Sequence, residues 1–240
     1  MQWIESGFDL ESIPSAAIDE ISELTSVAED KNKIAVCDLI RLLVLKDSQC
    51  EYLVTRHWRL ITVSIMEHLQ TQNLADPEAK TLQNYHQMSL KLLANLFATS
   101  TGRSLMQDLE RGKALISFCN RSFASCNQKV VYHAALVLFN YLLAYEADSK
   151  TKLQQVLEQA FKSIDEALSN AGLTDKDCLL SLLLCECRIL YKNQDMVTWV
   201  EEQFKLFFKE THSDLSARTA FPEIKEAVQD LFSMVTLENQ

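Results

Sequence analysis

A polar position that recurs inside apolar helical segments is the sequence feature that most constrains the fold. Four such segments each carry one polar residue within a run of apolar residues, at Arg41, Asn95, Asn140 and Arg188. The spacings between them are 54, 45 and 48 residues. Repeats of this length are typical of α-solenoids, in which each helical unit buries its apolar face only by packing on its neighbours. We therefore predict that the four positions are structurally equivalent and lie side by side.

The composition supports a helical fold. Only 4 glycines and 3 prolines occur among 240 residues, which leaves too few turn residues for a many-stranded protein. Apolar periodicity predicts eleven to thirteen helices and no strand. We expect a lead-in segment over residues 1–15 and a single domain over residues 16–240. The predicted fold class is all-α, an armadillo-like α-solenoid of about six helical repeats.

Helix boundaries follow from turn and capping residues. Loops are predicted over residues 29–32, 71–78 and 146–149. Thr174 or Asp175 is expected to cap a helix that begins at Lys176. One helix is predicted over residues 103–111, and the next over residues 113–122.

Charge and hydropathy exclude several classes of partner. The net charge of −10 argues against nucleic acid as a partner of the whole surface, because that binding requires clustered Lys and Arg. No stretch approaches the ~18 uninterrupted apolar residues of a membrane span. Residues 1–8 lack the basic start and apolar run of a signal peptide. We expect a monomer that binds neither nucleic acid nor membrane.

Motifs of catalysis and of metal binding are missing. The sequence has no glycine-rich phosphate loop, no G-x-S-x-G and no H-E-x-x-H, and its five histidines are scattered. The seven cysteines show no C-x-x-C spacing, which favours free thiols in a reducing compartment. We expect no catalytic residue, no metal and no cofactor. An enzyme would need a pocket of convergent His, Cys or carboxylate groups.

The two asparagines of the repeated position suit peptide binding. Asn is a poor residue inside a helix, and its amide can accept from a peptide N–H while it donates to a peptide C=O. Asn95 and Asn140 are therefore candidates for holding an extended backbone. The alternative is that each amide bonds a loop within its own repeat. His133 is expected on the face of Asn140, as a peptide contact or as a helix histidine bonded to a neighbouring carbonyl.

Basic residues accompany the asparagines. Lys91 lies one helical turn before Asn95 and so on the same face. With Arg41 and Arg188 it would form a basic strip, which attracts an acidic ligand. The alternative is that each basic head reaches water along its own aliphatic stem. A further possibility is a scaffold that binds a folded partner through its convex face, which requires an apolar surface patch.

The same segments resemble the PUL domain, the C-terminal armadillo-like domain of the PLAA family of ubiquitin-linked adaptor proteins. Three blocks carry the resemblance, over roughly residues 30–150. They are Cys37 to Leu45, Leu90 to Phe97 followed by Gly102, Leu105 and Met106, and His133 to Tyr141. Arg41, Asn95 and Asn140 match family positions directly, and Lys91 stands where the family has Arg.

The resemblance implies a function. PUL domains bind the acidic C-terminal tail of a hexameric AAA+ segregase, the valosin-containing protein, in a basic concave groove. Ubiquitin would be bound only by domains that this chain does not contain, and the location would be cytoplasmic and nuclear. The implied peptide-binding residues are Arg41, Lys91, Asn95, His133, Asn140 and Arg188, with Arg188 in the region where the resemblance weakens.

Overall fold

The computed structural model describes residues 13–67, 69, 79–145 and 153–236. Twelve α-helices and no strand occur in these residues, which confirms the predicted all-α class and number of helices. The helices are α1 Ser15–Val27, α2 Asp30–Leu43, α3 Asp47–Ile61, α4 Lys80–Asn95, α5 Ser100–Met106, α6 Leu109–Phe123, α7 Gln128–Ala144, α8 Gln154–Ser169, α9 Lys176–Leu190, α10 Gln194–Trp199, α11 Lys205–Arg218 and α12 Pro222–Thr236. Two π-helical segments extend them, Thr62–Glu67 after α3 and Val200–Phe204 between α10 and α11.

The helices form two compact units. The described part of the first unit ends at Met106, and that of the second begins at Gln107. The expectations of a single domain over residues 16–240 and of about six repeats stay predictions. Most of the lead-in segment and the loops predicted over residues 71–78 and 146–149 lie outside the described residues.

The first unit consists of two layers of helices. Helix α1 packs on α2 and α3, α3 packs on α5, and α2 packs on α4. Cys37, Ile40 and Leu43 of α2 and the C-cap residue Val44 are all buried. Their spacing of three and four residues places them on one face of the helix. This face packs on α4, whose Leu90, Leu92, Leu93 and Leu96 are also fully buried.

The second unit repeats one packing arrangement three times. The helices pair as α6 with α7, α8 with α9 and α11 with α12. Helices α7, α9 and α12 pack in sequence as one layer, and α6, α8 and α11 as the other. Each pair covers the apolar face of the next, as the repeat spacing predicts. Among the described residues, none of the helices has the length and apolarity needed to cross a bilayer.

Local capping accounts for two helix starts. The Asp175 carboxylate accepts from the Cys178 N–H at the start of α9, so the predicted cap is confirmed. The single helix predicted over residues 103–111 is wrong, because α5 ends at Met106. Asp108 accepts from the Arg111 N–H and starts α6. The loop predicted over residues 29–32 is also wrong, since α2 begins at Asp30.

Gly102 allows a close approach at the start of α5. A Cβ at this position would lie 1.8 Å from the backbone oxygen of Leu96. The Gly102 N–H donates to the Thr99 hydroxyl at 3.0 Å. The glycine of the second sequence block therefore permits the tight turn between α4 and α5.

Candidate peptide-binding surface

Asn95 links the two helices that carry the first pair of repeated positions. Its Nδ2 donates to the backbone oxygen of Arg41 at 3.1 Å. This oxygen lies in the last turn of α2, where the Leu45 N–H bonds Leu42 instead of continuing the helical pattern. Helix C-termini leave such carbonyls without intrahelical partners. The Asn95 amide therefore satisfies a helix end in the adjacent repeat, rather than a loop within its own repeat.

Two cations flank this bond, and they differ in their partners. The Arg41 Nε donates to the Asp38 carboxylate at 2.7 Å, so its charge is partly neutralised within α2. Lys91 is half-buried on α4, one turn before Asn95, and has no ion-pair partner in the described part of the chain. Of the two, Lys91 is the cation whose charge no carboxylate of the described residues neutralises.

Arg188 makes the equivalent link in the second unit. Its Nε donates to the backbone oxygen of Leu142, in the last turn of α7, at 3.3 Å. Its guanidinium also lies 5.4 Å from the centre of the Tyr191 ring. Arg188 of α9 thus contacts the C-terminal end of α7. Asn95 of α4 contacts the C-terminal end of α2 in the same way. No carboxylate pairs with Arg188 among the residues that the structure describes.

The remaining two predicted residues lie on α7. The His133 Nδ1–H donates to the Lys129 backbone oxygen, four residues earlier, at 2.6 Å, and the His133 ring is edge-on to Tyr132. It is therefore a helix histidine bonded to a neighbouring carbonyl, as the alternative expected. Asn140 is half-buried, and within the described residues its amide has no hydrogen-bond partner. Its donor and acceptor remain available.

The structure brings the predicted residues together in two sets. Arg41, Lys91 and Asn95 share α2 and α4 of the first unit. His133, Asn140 and Arg188 share α7 and α9 of the second. A single groove formed by both sets stays a prediction.

A buried ionisable cluster of the second unit was missed by the sequence reasoning. Asp165 of α8, Glu186 of α9 and His212 of α11 are all fully buried. The His212 Nε2 lies 2.7 Å from the Glu186 carboxylate, and its Nδ1 lies 2.8 Å from the Phe208 oxygen. The Thr211 hydroxyl donates to Asp165 at 2.7 Å.

Each group of this cluster has a shifted pKa. Burial and the adjacent Glu186 carboxylate raise the pKa of Asp165 to about 7. Burial also raises the pKa of Glu186. Burial alone would lower the pKa of His212, but Glu186 and Asp165 outweigh that effect and raise it. The His212–Glu186 hydrogen bond links α11 to α9, and the Thr211–Asp165 bond links α11 to α8.

The cluster also has the donor types of a metal site. Its ligand atoms lie within 4.8 Å of one another. Both ring nitrogens of His212 already have protein partners, however, and so does one oxygen of each carboxylate. Hydrogen bonds account for one oxygen of each carboxylate, whereas Asp165 Oδ1 and Glu186 Oε1 are buried without a hydrogen-bond partner among the described residues. The only sequence signal was one ionisable residue in each of three apolar helical faces, which does not reveal that the three meet.

Comparison with known families gives one match. The model of the PUL domain family matches residues 9–229, which takes in most of both units. No curated protein matches the chain. The match extends well beyond the roughly 30–150 range over which the sequence blocks were recognised.

Proposed function

This chain belongs to the PUL domain family, and from that premise we propose that it is a non-enzymatic adaptor module for an AAA+ segregase. PUL domains are helical protein-interaction domains. The ligand that we propose is the acidic C-terminal tail of the valosin-containing protein. The proposed setting is ubiquitin-dependent protein turnover in the cytoplasm and nucleus.

The observation that carries the proposal is the pair of unneutralised cations at related helices. Lys91 of α4 and Arg188 of α9 are half-buried, and neither has a carboxylate partner among the described residues. The chain as a whole has a net charge of −10. Cations left without partners in an acidic protein favour an acidic ligand, because their field is not cancelled locally. Asn140 supports the proposal, since its free amide can bond a peptide backbone.

The residues of the predicted site then divide by role. Lys91 and Arg188 supply charge, and Asn140 bonds the peptide backbone. The Asn95 side chain donates to the Arg41 carbonyl and so holds α4 to α2. These two residues therefore shape the surface more than they bind the ligand. His133 lies on the same helix as Asn140, and its Nδ1–H donates to the Lys129 carbonyl.

Charge reversal tests the proposal. A fluorescent tail peptide is titrated with the wild-type chain and with Lys91→Glu, Arg188→Glu and the double variant, at about 50 and about 300 mM salt. We expect each single variant to weaken binding about tenfold or more, which is about 1.4 kcal/mol. Affinity of the wild type should fall as salt rises.

The matched control is Lys209→Glu. Lys209 is exposed on α11, in the layer that does not contain α7 and α9. This variant makes the same change in net charge and should bind the tail like the wild type. Equal losses in the control and test variants would mean that net charge alone governs binding, and unchanged affinity in the double variant would refute the assignment.

An apolar patch favours one second candidate, a scaffold for a folded partner. Leu206 is 79% exposed and Phe207 is 44% exposed, and both lie on α11. Exposed apolar side chains that adjoin one another can mark a protein-binding surface. If Leu206→Asp with Phe207→Asp abolishes binding of the intact segregase, while Lys91→Glu has no effect and deletion of the tail is tolerated, this candidate replaces the first.

A further inference from the structure

A pocket lies where α9 turns into α10 in the second unit. Its volume is about 380 Å³, within the usual range for ligand sites. Leu190, Val197 and Met234 supply apolar lining, and Lys192 and Asn193 supply polar lining. None of these residues belongs to the predicted peptide-binding set.

Asn193 is the unusual residue of this pocket. It occupies the N-cap position of α10, yet its side chain makes no capping bond. The residue is only 7% exposed, and its buried Nδ2 has no hydrogen-bond partner in the described part of the chain. A buried donor without an acceptor costs about 1–3 kcal/mol. A ligand that supplies an acceptor here would remove this cost.

Two cations lie around the ring of Tyr191, which lines the pocket. The Lys192 Nζ lies 5.3 Å from the centre of the Tyr191 ring, and the Arg188 guanidinium lies 5.4 Å from it. Neither cation pairs with a carboxylate among the described residues. Lys192 is also the one non-glycine residue with positive φ, at 52°, in those residues. Glycine is favoured at such a helix end, so the lysine is held there against its backbone preference.

These groups define the ligand by its chemistry. The unpartnered amide group and both cations are donors, so the ligand must offer acceptors and negative charge. The apolar lining requires an apolar group beside them. We propose that this pocket binds a peptide carboxylate together with an adjacent apolar side chain. The inference deepens the proposed function and rests on it, because it names where the acidic peptide places one carboxylate.

The first experiment tests the pocket without the segregase tail. The probe is N-acetyl-leucine, compared with its amide, and the readout is the NMR signal of the Asn193 side-chain amide in ¹⁵N-labelled protein. Asn193→Leu identifies this signal by its loss. We expect the acid to shift the signal in a saturable way and the amide to shift it at least about tenfold more weakly, as expected for a charge-assisted bond. Equal shifts by acid and amide would overturn the proposal.

The second experiment measures affinity in variants. Asn193→Leu removes the unpartnered donor while it keeps an apolar side chain of similar size, and Lys192→Gly removes the charge and suits positive φ. We expect both to fold and to weaken N-acetyl-leucine binding, by about tenfold and about fivefold. Backbone signals at residues 190–197 report binding in both variants. Lys209→Ala is the control for loss of a positive charge. Alanine is used there because glycine would destabilise a position inside α11. Wild-type affinity in Asn193→Leu would overturn the proposal.

Tail peptides then separate this inference from the proposed function. A tail with a free C-terminus, an amidated tail and a tail with Glu replaced by Gln distinguish a terminal carboxylate from a side-chain carboxylate. If no tail binds but N-acetyl-leucine shifts Asn193, the proposed function fails and the pocket stands. If tails bind equally to wild type and Asn193→Leu, the proposed function stands and the pocket assignment fails.

Discussion

Replacing Asp165 with Asn should change how the stability of the protein depends on pH. Asp165 is fully buried, and the Thr211 hydroxyl donates to it at 2.7 Å. Burial and Glu186 raise its pKa from 3.8 to about 7. Because the folded state holds this proton more tightly than the unfolded state, the contribution of Asp165 is present at low pH and is lost as pH rises through 7.

The size of the effect follows from the pKa. From about pH 5.5 up to its pKa of about 7, Asp165 is protonated in the folded state and ionised in the unfolded state. Over these about 1.5 pH units the free energy of unfolding falls by about 1.4 kcal/mol per unit, and above about pH 7 it no longer changes because of this residue. The wild type therefore loses about 2 kcal/mol from this residue over that range. The Asn side chain cannot ionise and still accepts from Thr211. Relative to wild type, Asp165→Asn should gain about 2 kcal/mol in free energy of unfolding between the two pH values.

Urea unfolding followed by circular dichroism at a series of pH values measures this difference. Asp230→Asn is the control, because Asp230 is exposed on α12 in the same unit. Its stability should track that of the wild type at every pH. If the curves of Asp165→Asn and wild type run parallel, Asp165 does not change its protonation between the folded and unfolded states in this range, and the reasoning is refuted.

Two further predictions concern contacts between helices of the first unit. Gly102→Ala should destabilise the protein by more than about 2 kcal/mol, because its Cβ would lie 1.8 Å from the Leu96 oxygen; a change in thermal midpoint no larger than that of Ala98→Gly would contradict this. Asn95→Asp should cost about 1–3 kcal/mol, because it replaces the donor to the Arg41 oxygen with a carboxylate at a helix C-terminus. Asn84→Asp, on the exposed face of α4, is the matched control in urea unfolding, and equal losses in the two would exclude a specific role for the Asn95 bond.

The sequence predicted those features that repeat along the chain. The equivalence of Arg41 with Asn95 could be inferred from spacing, because stacked repeats place equivalent residues next to one another. The structure places the Asn95 amide on the Arg41 carbonyl. Gly102 belongs to the second sequence block, but the sequence does not show why a glycine is needed there. The structure gives the reason, which is the close approach of the Leu96 backbone oxygen.

Features that depend on contacts between unlike helices could not be predicted. Asp165, Glu186 and His212 come from α8, α9 and α11, and nothing in their spacing indicates that they meet. Asn193 follows the end of a helix, where an asparagine ordinarily predicts a cap or a turn. Its buried, unpartnered amide belongs to a pocket that Val197 of α10 and Met234 of α12 also line. Local sequence determines where helices form, whereas the surroundings of a buried polar side chain depend on how distant helices pack.

The polar residues of the repeats can serve two physical roles, bonding a helix end and binding a ligand. The sequence alone does not distinguish these roles. Asn95 and Arg188 donate to carbonyls in the last turns of α2 and α7, which need partners wherever a helix ends against its neighbour. This role requires a donor but not a charge, so Asn and Arg serve equally. In the proposed function, binding an acidic peptide would require charge that is not already neutralised, and among the described candidates Lys91 and Arg188 carry such charge. Under that proposal Arg188 would have both roles, since its Nε donates to the Leu142 oxygen of α7 and its guanidinium lies beside the Tyr191 ring. Under the proposed function, a substitution of Lys91 would therefore change ligand binding without loss of the Asn95 and Arg188 contacts that hold neighbouring helices together.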